Sequence, residues 1–161
     1  MKLLAVIVLM LSVSAPVNAF LVTDFDGGRI NVKDHMIEGQ WTLIMLWQLD
    51  CVPCEEHKPY IEAFHEKYTD TKASVVGLVI DGHDYMPLIK KFVAKKPTRF
   101  PSLVVFSDVF QQQITEETGK PFHFAPGYIL YTPNGEIKAA INHRVDIEQL
   151  MPYLEAQVGS E

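Results

Sequence analysis

Cysteine is nearly absent from this chain. Two residues of 161, Cys51 and Cys54, carry all its thiol chemistry, so no framework of crossed disulfides holds the fold and the core must come from apolar burial. A structural zinc site needs two further ligands in a comparable cluster. None follows: there is no second cysteine pair, and His57 and His65 do not have the spacing of a ligand pair on one helical face. Positive charge is also scarce, with 14 Lys and Arg against 20 Asp and Glu and a formal net charge of −6. Lys90-Lys91 and Lys95-Lys96 read as the solvated face of one helix rather than a basic block, which argues against a nucleic-acid partner. Internal repeats and linkers are absent too.

What is present begins with Met1 to Ala19. A lysine at position 2, an apolar stretch from Leu3 to Leu11 and the small-residue exit Val17-Asn18-Ala19 read as a secretory signal peptide cleaved after Ala19, with a retained anchor as the alternative. Its apolar part is short for a stable membrane span, and no cysteine lies at its end to take a lipid. The division predicted is a signal peptide over 1–19 and one domain over 20–161, long enough for a proper core. Two cysteines in an exported domain of that size are better explained as a reactive pair than as a scaffold.

The pair stands in Trp47-Gln48-Leu49-Asp50-Cys51-Val52-Pro53-Cys54, between the apolar run Trp41 to Trp47 and a helical pattern. That order predicts a buried strand delivering two thiols to a helix N-terminus. Amide N–H groups and the helix dipole favour a thiolate on the first cysteine, and the thiolate is the nucleophile. The second, one helical turn on, can close a disulfide with the first or release a mixed disulfide by attacking it. Cys51 is therefore assigned the attacking role and Cys54 the resolving one. A purely structural bridge over so short a loop would constrain the unfolded chain little, which leaves redox activity as the favoured reading.

Around this centre, Val22 to Phe25 and Arg29 to Val32 flank Asp26-Gly27-Gly28 as a hairpin. The helix after Cys54 carries the stripe Ile61, Phe64, Tyr68 and contains Pro59, which removes an N–H and is expected to kink it. Ser74 to Ile80 is a second buried strand, followed by a helix with Leu88, Ile89, Phe92 and Val93 as its stripe. Leu103 to Phe106 comes next, then a polar stretch holding Gln111-Gln112-Gln113 and Glu116-Glu117 that is assigned no element. Gly127 to Thr132 and Ile137 to Ile141 form a hairpin through Pro133-Asn134-Gly135-Glu136, and Asp146 opens a last helix with Pro152 inside it. The class predicted is α/β, a mixed sheet flanked by helices with an N-terminal β-hairpin.

These residues resemble the thioredoxin fold and, within it, the exported TlpA/ResA-like thiol-disulfide oxidoreductases. The resemblance runs through Trp41 to Trp47 with Cys51-Val52-Pro53-Cys54 and Pro59, Ser74 to Asp81, Phe100-Pro101, Ala125-Pro126-Gly127-Tyr128-Ile129-Leu130 and Asn134-Gly135-Glu136-Ile137, nearly all of the chain after Ala19. It implies a thioredoxin-like domain with catalytic Cys51 and Cys54 and no cofactor. Pro126 is similar to the family's cis proline, so Ala125 and Pro126 are expected to bind the client's extended backbone. Cis bonds are nearly confined to X–Pro, and a proline opening a strand leaves neighbouring backbone groups free to pair with a peptide. The resemblance further implies disulfide-bearing client proteins such as apocytochromes c or copper-site assembly proteins, a membrane electron donor of the DsbD type, and a periplasmic or otherwise exported location.

Three positions depart from the family pattern. Asp50 replaces a frequent tryptophan before the first cysteine, Met45 stands where thioredoxin buries an acid, and His57 stands where the TlpA/ResA-like branch tends to carry a glutamate. The candidate proton acceptors for the resolving thiol are then His57, Glu55 and Glu56. A surface histidine of no special role is the competing reading of His57. Asp50, Glu55 and Glu56 put three negative charges near Cys51, oppose the helix dipole and favour a disulfide reductant. Disulfide oxidase or isomerase activity is the alternative, and a copper(I) metallochaperone using the same two thiolates is the alternative from another class.

Overall fold

The computed structural model describes residues 20–159; the expected signal peptide lies outside them. In chain order the strands and helices are β1 (Leu21–Thr23), β2 (Arg29–Asn31), β3 (Trp41–Trp47), α1 (Val52–Tyr68), β4 (Ala73–Val79), α2 (Met86–Lys95), β5 (Ser102–Val105), α3 (Ser107–Thr118), β6 (Gly127–Tyr131), β7 (Ile137–Ile141) and α4 (Ile147–Gly159). One seven-stranded sheet runs β2-β1-β5-β4-β3-β6-β7. The β3–β4 and β4–β5 pairs are parallel and the rest antiparallel, which is the mixed sheet expected.

Every residue of β3 and β4 is buried, which a strand achieves only when both sheet faces are covered. Alternation sorts the side chains. Trp41, Leu43, Met45 and Trp47 point to one face, where Ile61 and Phe64 of α1, Ile89 of α2 and Leu150, Leu154 and Val158 of α4 meet them. Ile44 and Leu46 point to the other, where Val76, Leu78, Phe110, Ile114 and Phe122 close the second core. Each large aliphatic or aromatic side chain fully buried in this way is worth about 1.5–3 kcal/mol against exposure.

Two expectations need correction. The polar stretch after β5 is the helix α3, ending on Gly119 at φ 74°. Its buried stripe is two residues, Phe110 and Ile114, too thin to announce a helix among glutamines and glutamates. Leu88 is exposed rather than part of the α2 stripe, which is carried by the fully buried Ile89. In the first hairpin only Gly27 takes a positive φ; the turn is closed by the Asp24 carboxylate, which accepts from the N–H groups of Asp26 and Gly28.

Candidate active site

The site is built where β3 ends and β6 begins. Because β6 runs antiparallel to β3 with Leu46 opposite Gly127, the last turn of β3 and the residues just before β6 meet at one end of the sheet. From Trp47 the chain turns through Gln48, Leu49 and Asp50. The Leu49 N–H donates to the Asp81 carboxylate at 2.8 Å, so the loop is tied to the end of the neighbouring strand. Burial pushes the Asp81 carboxyl up, against the pull of that hydrogen bond, and the Asp50 charge adds to the rise. Asp50 sits at φ 54°, a left-handed conformation that aspartate tolerates better than most residues, and this reverses the chain into α1.

Cys51 is the N-cap of α1, with its sulfur accepting from the Cys54 N–H at 3.2 Å. Val52 and Pro53 fill the first positions of the helix, where proline's missing N–H costs nothing. Cys51 and Cys54 are joined as a disulfide, their Cα atoms 5.2 Å apart. Both are buried, Cys51 at 8% exposure and Cys54 at 3%, so the first cysteine is the slightly more exposed residue. Met45, Trp47, Phe92 and Phe100 line a small cavity with Cys54, bordered also by Glu55, Lys58 and Thr98, so Met45 puts an apolar side chain at the position where the resemblance leads one to look for an acid.

The Ala125–Pro126 peptide bond is cis, as the sequence reading expects. Pro126 and Ala125 line a groove of about 800 Å³ with Pro53, Glu56 and His57, so residues far apart in sequence are brought together beside the cysteine pair. Its outer wall carries Arg144, Asp146 and Glu148, and the aromatic rings of Tyr60 and Phe124 stand exposed at its rim. Glu55 lies elsewhere. It borders a second hollow with Asp50, Cys51, Val52 and Phe92, and its carboxylate is paired with Lys96 Nζ at 2.9 Å.

His57 is not a surface residue. It is buried at 8% exposure, and its Nδ1 lies 2.7 Å from the Tyr128 hydroxyl. Burial lowers its pKa below the ordinary histidine value, although the Glu56 and Asp146 charges oppose the shift. Tyr128, almost wholly enclosed on β6, is pushed up by burial and keeps its proton. Sequence reasoning passed over Tyr128, Asp81 and Lys96. Tyr128 was accessible to it, since a strand starting at Gly127 with period-2 alternation turns residues 128 and 130 to the α1 face. Asp81 and Lys96 act through contacts between separate elements, which no local pattern encodes.

The arrangement suits thiol-disulfide exchange: one cysteine capping a helix start, its disulfide partner one turn behind it, and a cis proline bordering a groove that an extended chain can enter. Comparison with known proteins agrees with it. The model of the AhpC/TSA family matches residues 13–140. Thiol-disulfide oxidoreductase ResA of Bacillus thuringiensis (strain Al Hakam) is 32% identical over 82 residues, 51% of this chain and 45% of that protein. The ResA of Geobacillus kaustophilus (strain HTA426) is 25% identical over 137 residues, 85% of this chain and 73% of its own. The chain thus spans about half the length of the Bacillus relatives it matches. Among solved structures, the thioredoxin domain of a thiol-disulfide oxidoreductase from Bacteroides vulgatus superposes with a TM-score of 0.68 at 20% identity, covering 88% of this chain and 94% of that one. StoA from Bacillus subtilis gives 0.59 at 19% identity, covering 86% and 98%. The fold is thioredoxin-like.

Proposed function

The chain belongs to the AhpC/TSA family, and from that membership and the Cys51–Cys54 disulfide at the start of α1 we propose that it is a thiol-disulfide oxidoreductase acting as a reductant of client disulfides. The observation that carries the reading is the disulfide capping a helix whose first turn shares a groove with a cis proline. In the reduced protein the Cys51 thiolate attacks a client disulfide, forms a mixed disulfide and expels a client thiolate. Cys54 then attacks the Cys51 sulfur, releasing the second client thiolate and restoring the bridge seen here.

The direction is argued from charge. Asp50 and Glu56 stand near Cys51 and disfavour its thiolate, so the dithiol form gains little and the couple lies nearer to thioredoxin at about −270 mV than to DsbA at about −120 mV. Glu55 contributes less than its sequence position suggests, because Lys96 neutralises it. The protein is proposed to work outside the cytoplasm after removal of residues 1–19, on disulfide-bearing clients of the apocytochrome c or copper-site assembly kind, and to be re-reduced by a membrane donor of the DsbD type.

Cys54→Ser incubated with a disulfide-bonded client tests the reading: a mixed disulfide through Cys51 should accumulate, and Cys51→Ser should neither trap nor turn over the client. Faster alkylation of Cys54 than of Cys51 in the reduced protein would reverse the assigned roles. Equilibration with glutathione then places the couple, and a value near DsbA's would make the protein an oxidant.

A further inference from the structure

Tyr128 and His57 form a closed pair that the exchange chemistry above leaves unused. Their rings lie nearly parallel, 13° apart, with the Tyr128 hydroxyl 2.7 Å from His57 Nδ1. Tyr128 is 1% exposed, and among the described residues that hydroxyl has no other hydrogen-bond partner. A phenol carries one proton, and a neutral imidazole has one donor and one acceptor nitrogen. If Nδ1 held the imidazole proton, the hydroxyl would accept it and the phenol's own proton would have no acceptor among the described residues. A buried donor stranded in that way costs its full desolvation. With Tyr128 donating to Nδ1, both groups are satisfied and the imidazole proton resides on Nε2.

Building on the oxidoreductase reading, we propose that Tyr128 is a positioning residue that fixes neutral His57 as the Nε2–H tautomer, so that the groove beside Pro126 offers a hydrogen-bond donor to a backbone carbonyl of an extended client chain. His57 lines the groove together with two prolines that cannot supply such a donor. Pro53 and Pro126 have no N–H to give, whereas an extended peptide presents a carbonyl at every residue. The groups facing His57 keep it uncharged. Glu56 on α1 and Asp146 before α4 favour the imidazolium, Glu148 and Arg144 border the same groove with opposite charges, and β6 contributes the neutral Tyr128. Burial outweighs the two carboxylates and the histidine titrates below its ordinary range. In this tautomer Nδ1 is engaged and Nε2 already protonated, so His57 serves the client rather than taking the proton of Cys54.

Two measurements decide the proposal, the first on the oxidised full chain and the second on the full chain and its variants kept reduced by an excess of a small dithiol, with the uncatalysed rate subtracted. Long-range ¹H–¹⁵N NMR of labelled histidine should show His57 at pH 7 with a protonated Nε2 and an unprotonated Nδ1; a protonated Nδ1 would overturn it. Turnover of a disulfide-bridged model peptide should show KM raised about fivefold in Tyr128→Phe, the order expected for one hydrogen bond, with a smaller effect on kcat. His57→Gln, whose amide offers an oxygen to Tyr128 and an N–H to the groove, should stay near the wild-type KM, while His57→Glu, with no donor when ionised, should match or exceed the loss in Tyr128→Phe. Equal impairment of the Gln and Glu variants would refute the donor role. Absence of turnover by the wild-type chain would strike the oxidoreductase reading instead, with the NMR result still deciding the tautomer.

Discussion

Gly127 opens β6 directly after the cis proline, and a methyl group placed on it would lie 2.2 Å from Phe122 Cε2 and within 3.2 Å of two further atoms of that ring. The ring has little room to retreat. Phe122 is 5% exposed and packs edge-on against Phe110, with centroids 5.9 Å apart. Its backbone is held on both sides by one side chain: Gln111 Nε2 donates to the Phe122 carbonyl at 3.0 Å, and Gln111 Oε1 accepts from the Phe122 N–H at 3.2 Å. Overpacking of a filled core costs about 1–3 kcal/mol. Restricting the unfolded chain by exchanging Gly for Ala returns about 0.4–1 kcal/mol, since the backbone at Gly127 is one that alanine can adopt. Gly127→Ala should therefore lose about 1–2 kcal/mol, a fall in Tm of about 3–6 °C for a domain of this size. Urea and thermal unfolding read the loss directly, and a cycle with Phe122→Ala reads its cause. The single Phe122→Ala variant should lose about 3–5 kcal/mol, and the double variant should lose clearly less than the two singles added together, because the clash has gone. Strict additivity, or a Gly127→Ala variant as stable as wild type, would refute the reasoning.

Asp81 has a folded pKa raised above its unfolded value, so its burial weakens the fold increasingly as pH rises through that interval. Asp81→Asn, which keeps an oxygen for the Leu49 N–H, should gain on wild type as pH climbs from the ordinary carboxylate range and then level off; a pH-independent difference in urea titrations would sink this. His65 is lowered by burial, and its Nδ1 accepts from the Val75 N–H at 3.2 Å. Wild-type stability should fall as pH drops through the range below the ordinary histidine value, because the unfolded chain takes the proton first, and His65→Gln should show a shallower fall; identical slopes would contradict it. Lys96→Gln removes the cation paired with Glu55, a half-exposed pair worth about 0.2–1 kcal/mol, and should make the Cys51–Cys54 potential more negative by on the order of 10 mV in glutathione equilibration. A shift of opposite sign would show that Lys96 does not act on Cys51.

The sequence was most legible where one local pattern decided the outcome. The run of apolar and β-branched residues from Trp41 to Trp47 became a strand with the same limits, and Asn134-Gly135 closed its hairpin with Gly135 at φ 80°. The Cys51 position at a helix start followed from the strand before it and the helical stripe after it. The helix α3 was hidden in its own residues but implied by others. Strands with large apolar residues on both faces require two covered faces, and α1, α2 and α4 all lie on one, so something had to cover Ile44, Leu46, Val76 and Leu78. The candidate site divided in the same way. Cysteines and a proline announce themselves by type, whereas the burial of His57, the pairing of Glu55 with Lys96 and the tether from Asp81 to Leu49 depend on which elements the sheet order sets side by side.

The N-terminal hairpin joins the sheet through β1, whose Val22 and Thr23 lie opposite Val105 and Thr23's partner Val104 on β5. Emerging from the ribosome with its N-terminus first, the chain makes β1 long before the strand that receives it. Until residue 105 has appeared, β1 can pair with β2 alone, and a two-stranded ribbon of this length has little stability of its own. Closing so long a loop is slow, which sets the docking of the hairpin among the late events of folding. In the interval β5, buried along its whole length in the finished molecule, is an open sheet edge able to capture a strand from another chain. Residues 21–31 thus cover that edge in the finished molecule, where β1 pairs with β5 and β2 with β1.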